Sequence, residues 1–469
     1  PAVTFSNISI FYQKPHARCN MHFDETKKSS ATQSRESFLV DIVVIGGGAA
    51  GMFAAAVMAE GAPGMRILVI EKGSQPLAKV RRSGGGRCNL THAGDDLRAF
   101  AGHYPRGERE MIGPLHRFGP RETMQWFEAH GVPLVTLADG CLFPRSDSAG
   151  DVVRALLDTA SKGRTKILCG EAVSRLHFGA GGIEVEFGRA ACARADAVLV
   201  ATGGGAFVEG TAHELEPWVP SLFALKSPDR DLTTLAGLVV RDVRLGGPAG
   251  LDAAGDLLIT HQGVSGPAVL RLSSLGARSL ATIRYRFRMS IDWCPSRHRD
   301  RVCARLRSFG AEYPRRQLAS CTPFHFPQRL WRLLLARAGI PASCRWSECS
   351  HGQLRALTDV IKTFPLDLDG KNPHLEEFVT CGGVRLSEVD FRPMQSRLHP
   401  GLYLAGEALD IDGLTGGYNL QAAWTTGYLA AQALLGAKRS IPPVRDTRSR
   451  GLLGGRGGTR TRTPLGTRT

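Results

Sequence analysis

The chain has no Cys-x-x-Cys pair, no apolar run near the roughly 20 residues that span a bilayer, and no second complete Gly-x-Gly-x-x-Gly. The first absence excludes a redox dithiol and leaves no zinc-ligand spacing, so no metal is expected. Eleven scattered cysteines, an odd number, instead suit a reducing compartment. A soluble protein without a membrane span is expected, since even the stretch 41–59 starts on an acid and is broken by Gly46, Gly47, Gly48 and Gly51. Acid is also scarce: 43 Asp and Glu stand against 59 Lys and Arg, a formal charge of +16.

The excess of base is uneven. Fourteen arginines fall between Arg284 and Arg345, against Asp292, Asp300 and Glu312. Such a stretch reads either as a solvated helical surface or as a face for nucleic acid, an anionic membrane or an acidic substrate. With no aromatic-interleaved RNA motif and no Cys/His finger, the solvated surface is preferred and nucleic acid stays as the alternative. Residues 1–37 are basic and rich in Ser and Thr, the composition of a transit peptide or a disordered leader. The first would place the protein in a plastid stroma, the second in the cytoplasm. Residues 438–469, with glycines and alternating Thr and Arg, read as a disordered tail.

The strongest positive signal is one βαβ unit. Val43, Val44 and Ile45 form a β-branched strand, Gly46, Gly48 and Gly51 take Gly-x-Gly-x-x-Gly spacing, and an apolar helix runs from Met52 to Glu60. A second strand, 66–71, ends in an acid 20 residues past Gly51. Gly46 permits the tight turn, Gly48 lets the backbone approach a pyrophosphate, and Gly51 lets the helix lie on the sheet. The helix N-terminus at Ala49 and Ala50 offers unpaired N–H groups to phosphate oxygens. Glu71, followed by Lys72, is placed to accept from a ribose. Its negative charge disfavours a 2′-phosphate, so this site suits FAD or NAD and not NADP.

Helical spacing continues at 121–130 and at 151–160, the latter behind Asp151 as N-cap. Strands follow at 172–178, 183–187 and 197–200. Residues 206–372 then change character. Strands are expected at 238–243, 256–260, 281–291 and 363–368, and helices at 297–307 and 328–338. This predicts an α/β fold in which a mostly parallel dinucleotide domain, 38–205 and 373–437, is interrupted by a β-rich, barrel-like insert, 206–372, carrying a helical subdomain at about 293–345.

Six segments in order, 44–51, 83–91, 201–204, 260–267, 379–384 and 401–424, resemble the BaiN-like (YhiN-like) FAD-dependent oxidoreductases, flavoproteins of the two-dinucleotide-binding-domain group. The resemblance covers about residues 38–437 and implies a Rossmann-like FAD-binding domain with the cofactor extended across three parts of the chain. Gly46, Gly48, Gly51 and Glu71 would hold the ADP half, with Thr202, Gly203 and Gly204 near the adenine side. Gly406 and Glu407 would meet a ribityl hydroxyl. Gly416, Gly417, Tyr418 and Asn419 would set a helix N-terminus against the flavin pyrimidine edge, where negative charge gathers on reduction. The loop Ser83, Gly84, Gly85, Gly86, Arg87 and Asn89 would wrap the pyrophosphate and isoalloxazine, with Arg87 as an anion contact. One departure from the family is the connection from Gly205 to His213, which is shorter here.

Two residues are candidates for catalysis. Cys88 beside Arg87 reads as an activated thiolate or as a small packed thiol. His261, before the Ser265–Gly266–Pro267 turn, reads as a proton donor or as a buried, hydrogen-bonded histidine. The expected reaction passes hydride from NADH or NADPH, docked transiently, through flavin N5 to a small unsaturated or carbonyl substrate. The rivals are an NAD-only dehydrogenase and a degenerate or RNA-associated flavoprotein that acts as a binding module.

Overall fold

The computed structural model describes residues 10–12, 37–205, 209–372 and 379–440. Its central strand is Ser37–Ile45 (β1), partly exposed up to Val40 and buried from Asp41 onward. That change is expected where a strand enters a sheet covered on both faces. Helix Ala49–Gly61 (α1) follows, buried from Ala50 to Ala59. A helix apolar all round has no solvent face to present, which places it inside the domain.

The remaining elements of this domain are Arg66–Glu71 (β2), Glu108–Arg117 (α2), Arg164–Cys169 (β3), Ala191–Val200 (β4), Leu402–Leu404 (β5) and Tyr418–Ser440 (α3). The main sheet runs β3-β2-β1-β4-β5 with all neighbours parallel, and two short antiparallel strands extend the β5 edge. Ile10–Tyr12 adds one more parallel strand beside β3, inside the segment expected to be a leader. The rest of the leader, residues 206–208 and the tail beyond residue 440 lie outside the described residues. An antiparallel hairpin, Val173–Gly179 with Gly182–Phe187, branches from the first half of β4.

The insert is a closed six-stranded antiparallel barrel with three longer helices on it, Arg299–Glu312, Gln328–Arg337 and His351–Lys362. Its apolar core, which includes Leu245, Leu257, Met289 and Leu366, is separate from the core around α1 and α3. Leu215–Ser221 and Val379–Val384 pair antiparallel as a linking sheet, so the insert reaches the barrel only at Leu225.

Three local expectations need correction. The strand expected over 281–291 is a helix, Ala277–Thr282, then a turn, then a strand, Arg286–Asp292. Arg284 and Tyr285 both take positive φ, which stops any regular element there. The helical subdomain continues past residue 345 because His351–Lys362 has a Ser350/Gln353 capping box and an apolar face, Leu354, Leu357 and Ile361. The helix expected behind Asp151 starts earlier, Ala149–Ser161, and its N-cap is Ser148, which accepts from the Gly150 N–H.

Barrel and dinucleotide domain are fastened through a buried ion pair of the dinucleotide domain, Arg106 on Asp412, to which Ser221 and Ser274 of the insert bond. Asp412 is fully buried and accepts from Arg106 Nε at 2.5 Å, from Arg106 Nη2 and from Ser221 Oγ at 2.7 Å. Arg106 Nη1 donates to the Ser274 carbonyl at 2.7 Å. Burial pushes the Asp412 carboxyl up from its ordinary range while Arg106 and Ser221 hold it down. Removing one partner of such a pair leaves a buried charge uncompensated, so Arg106→Ala is expected to lower stability by about 3–5 kcal/mol at neutral pH. Because the folded-state pKa of Asp412 is raised, protonation favours the folded form, and the deficit should narrow as pH falls in urea titrations. A pH-independent deficit would contradict this account.

Candidate cofactor and active site

Hydrogen-bond register brings Ile45, Ile70, Val200 and Leu404 level across the sheet. The next residues, Gly46, Glu71, Ala201 and Ala405, therefore leave the same carboxyl-end edge, where open α/β sheets hold ligands. Gly46 has φ +106°, and a Cβ there would stand 2.2 Å from the Ala201 carbonyl oxygen, so only glycine fits. At Gly51 a Cβ would be 2.0 Å from the Gly46 oxygen. Gly48 is the opposite case: its backbone is extended and nothing lies within 4 Å of a Cβ.

α1 begins at this open position without a side-chain cap or an acid in its first turn. Its first internal bond runs from Met52 N–H to Gly48 C=O, so the N–H groups of Ala49, Ala50 and Gly51 precede the ladder and face the edge. Glu71 braces the glycine turn, accepting from Gly47 N–H at 2.7 Å and Gly73 N–H at 2.6 Å. One oxygen serves each bond, which leaves each a further lone pair for a hydroxyl. Lys72 is exposed beside it.

Glu407, behind Gly406, gathers the other segments. Its Oε2 accepts from Gly204 N–H at 3.2 Å and from Lys79 Nζ at 2.9 Å, and Gly203 lies alongside, while Thr202 packs half-buried at the end of β4. Oε1 has no partner among the described residues. The Gly406 N–H is held by Thr426 Oγ1 at 2.9 Å, which ties this turn to α3.

At the start of α3, Gly416 and Gly417 both take positive φ. The first internal bond runs from Gln421 N–H to Gly417 C=O, so the N–H groups of Tyr418 to Leu420 also precede their ladder. The side chains here point away from the edge. Asn419 pins its own loop, accepting from Gly413 N–H and donating to Gly413 C=O, both at 2.8 Å. The Tyr418 ring is buried against His103 (4.4 Å, stacked) and His92 (5.1 Å, stacked), and burial pushes its phenol up to about 12.

The Ser83–Asn89 loop is shaped by Gly84, Gly85 and Gly86, all at positive φ. Ser83 Oγ donates to the Val80 carbonyl, and the Asn89 amide, oriented by its surroundings, donates to the Thr91 and Leu142 carbonyls. Arg87 is an exposed residue of this loop. Its guanidinium lies 4.4 Å above the Phe143 ring and 3.7 Å from Asp147.

Neither catalytic candidate is supported by its placement. Cys88 is fully buried, and burial pushes its thiol up to about 12, so the packed-thiol reading stands. His261 is an exposed residue of the two-residue loop between Asp252–Thr260 and Gly263–Ser265, and its ring has no hydrogen bond, ion pair or ring contact among the described residues. It sits roughly 20 Å of strand from Ala254, where the barrel approaches the other domain.

What stands at that approach was not singled out from sequence. Arg271, on helix Pro267–Leu275, donates to the Ala254 carbonyl at 3.4 Å and lies within electrostatic reach of His92, Cys141 and Tyr418. His92 Nδ1 is 3.2 Å from the Gly416 carbonyl and 3.9 Å from Cys141 Sγ, and burial pushes its imidazole down. His103 Nδ1 donates to Ala99 C=O at 3.0 Å. His92 follows the 83–91 segment directly; His103 and Arg271 carry no sequence signal, because only the fold brings them to Tyr418.

Comparison with known proteins places the chain. Residues 40–433 match the HI0933-like protein Rossmann domain, and the chain belongs to that family. It is 32% identical to the 3-dehydro-bile acid delta(4,6)-reductase of Clostridium scindens, over 84% of this chain and 98% of that protein. It is 30% identical to the ribosomal RNA dihydrouridine synthase of Escherichia coli K12, over 85% of this chain and 99% of that protein. Among solved structures, a mutated FrdA of E. coli quinol fumarate reductase aligns over 88% of this chain and 72% of its own with a TM-score of 0.45 and 15% identity. The chain is thus of the FAD-dependent oxidoreductase type. No helix among the described residues is long and apolar enough to cross a membrane, and no group of metal-ligating side chains occurs among them.

Two outcomes test this geometry. Gly48→Val should lower apo stability by no more than about 1 kcal/mol, since its Cβ meets nothing and only the N-cap preference for glycine is lost, yet cut FAD retention. Full flavin content in that variant, read from absorbance, would remove Gly48 from the site. Cys88 should resist iodoacetamide in the folded protein at pH 8 and react only after unfolding, as mass spectrometry would show.

Proposed function

We propose that the protein uses FAD and electrons from NADH or NADPH to reduce a carbon–carbon double bond conjugated to a carbonyl, in a substrate entering the cleft between the sheet edge and the barrel. The single observation that carries this reading is the convergence of Gly48, Glu71, Glu407 and the two uncapped helix starts on one edge, facing Arg271 across the cleft. The residues fit the cofactor. Gly46, Gly48, Ala49, Ala50 and Gly51 would hold the pyrophosphate and Glu71 the adenosine ribose, while Thr202 to Gly204, expected from sequence near the adenine side, would stand between the pyrophosphate and Glu407, because their strand lies on the far side of β1 from Glu71. The unbonded Oε1 of Glu407 would accept from the ribityl chain, and the start of α3 would face the flavin pyrimidine edge. When bound, FAD supplies the hydride chemistry.

The relatives support the substrate class. A 3-dehydro bile acid with Δ4,6 unsaturation carries a ketone conjugated to ring alkenes, and dihydrouridine is uridine whose alkene, conjugated to a ring carbonyl, has been reduced. Hydride addition to such a system, at the β-carbon of an enone or the δ-carbon of a dienone, moves negative charge to the carbonyl oxygen, and a proton added to carbon completes the reduction. Arg271, with guanidinium N–H groups beyond its Ala254 bond, would stabilise negative charge on the carbonyl oxygen. His103, whose Nε2 has no partner among the described residues, would hold the proton. The charge of +16 favours an alkene carried on a polyanion such as RNA as a second reading of the substrate.

Anaerobic titration with NADH and NADPH should bleach the flavin, and a Δ4-3-ketosteroid or a uridine-containing RNA should restore its colour. Failure of every conjugated acceptor to reoxidise the reduced protein would sink the proposal. Arg271→Met should cut kcat/KM for the acceptor about 10²-fold while leaving flavin reduction unchanged.

A further inference from the structure

The arginine-rich stretch is not the only place where this chain carries unpaired positive charge. On the helical subdomain part of the charge is used internally. Arg299 pairs with Asp359, Arg337 with Asp229 and Asp231, and Arg305 and Arg316 lie over Phe309 and Tyr313. A different place combines base with concavity. A groove of about 510 Å³ runs between α2 and the segment 386–397, and Arg109, Arg117, Arg392 and Arg397 all line it. None of the four is in an ion pair among the described residues. Arg117 donates to the Arg392 carbonyl, which ties the two walls together. Two acids share the wall, Glu110 and Asp390, and Asp390 already accepts from the Arg392 backbone N–H at 3.0 Å. Half-buried Leu386 and Phe391 supply an apolar surface between the guanidinium groups, backed by buried Pro114 and Val389.

The groove is also close to the chemistry. α2 starts beside Gly107, directly after Arg106, whose guanidinium holds Asp412 next to the loop that leads into Gly416 and Gly417. Arg109 is about one turn further on, and Arg117 about 12 Å along the same helix. We propose that this groove binds the phosphodiester backbone of an RNA, anchoring it so that an unstacked base reaches the cleft. Guanidinium forks match phosphate oxygens, and an apolar, aromatic-containing wall suits a base or ribose beside them. The inference rests on the RNA reading of the substrate given above.

The test uses the flavin-loaded full chain and two probes, a fluorescein-labelled oligouridylate and a ribosomal RNA fragment transcribed in vitro. Anisotropy should show salt-dependent binding. The variants Arg109→Gln/Arg397→Gln and Arg109→Gln/Arg117→Gln/Arg392→Gln/Arg397→Gln should weaken it by about tenfold or more, with the salt slope falling by about 0.7 for each lost phosphate contact. Flavin content and reduction by NAD(P)H should be unchanged in the double variant, which retains Arg117 and so keeps the walls tied. No binding by the parent protein, or equal binding by both variants, overturns the groove. Greater loss in Arg301→Gln/Arg307→Gln than in the groove variants also overturns it. RNA held through the groove while dihydrouridine never forms removes the RNA-substrate reading and leaves the groove standing; dihydrouridine formed equally by the groove variants does the reverse.

Discussion

Parallel strand register is the constraint on which the site depends. Residues 46, 71, 201 and 405 are far apart in the chain, yet they leave the sheet side by side because Ile45, Ile70, Val200 and Leu404 are level. The register is locked from two sides. Ile42 and Val44 feed the core around α1 and α3, whereas Val43 and Ile45 feed the core beneath the hairpin that branches from β4. A one-residue slip of β1 would exchange these two sets and place Gly46 opposite the wrong carbonyl. The turn at Gly46, the open backbone at Gly48 and the reach of Glu407 to Gly204 are consequences of that locking.

The acids of this basic protein are used where backbone donors need them. Glu71 takes the Gly47 and Gly73 N–H groups, and Glu407 takes the Gly204 N–H and the Lys79 ammonium. Asp410 accepts from the Gly382 N–H and from Arg278. Each of these carboxylates shapes a turn at the sheet edge or at the barrel junction. Positive charge without an ion-pair partner, as on Arg109 and Arg397, lines the groove beside α2.

Sequence alone made legible what is local. The β-branched run, the spaced glycines and the terminal acid Glu71 specify a βαβ unit within about 30 residues, and the structure has it from Ser37 to Glu71. The amphipathic helices Pro120–Ala129 and Gln328–Arg337 fall where their spacing puts them. The helix His351–Lys362 was legible but passed over: Ser350 and Gln353 form the capping box that announces it. Residues 281–291 misled because their apolar alternation is compatible with a strand, while the break at Arg284 and Tyr285 is imposed by tertiary packing, with Tyr285 set edge-on against Phe223. The approach of Arg271 to Tyr418 and His92 had no local signature, since it joins a barrel helix to a loop some 180 residues earlier and a helix some 150 residues later by a contact that only docking creates.

How that docking is achieved bears on the chemistry. The barrel core and the dinucleotide-domain core are separate apolar clusters, so burial of oily surface does not by itself orient one against the other. Orientation comes from the bonds of Ser221 to Asp412 and of Arg106 to the Ser274 carbonyl, and from Arg278 on Asp410, where each guanidinium bonds with fixed directions. Directional bonds set an angle as well as a contact. The loop that carries Asp410 and Asp412 continues directly into Gly416 and Gly417, so the residues that hold the barrel are rigidly coupled to the start of α3. The approach of Arg271 to the helix start is therefore set by one ion pair across the junction, Arg278 on Asp410, and by the bonds of Ser221 and Ser274 to the Arg106–Asp412 pair.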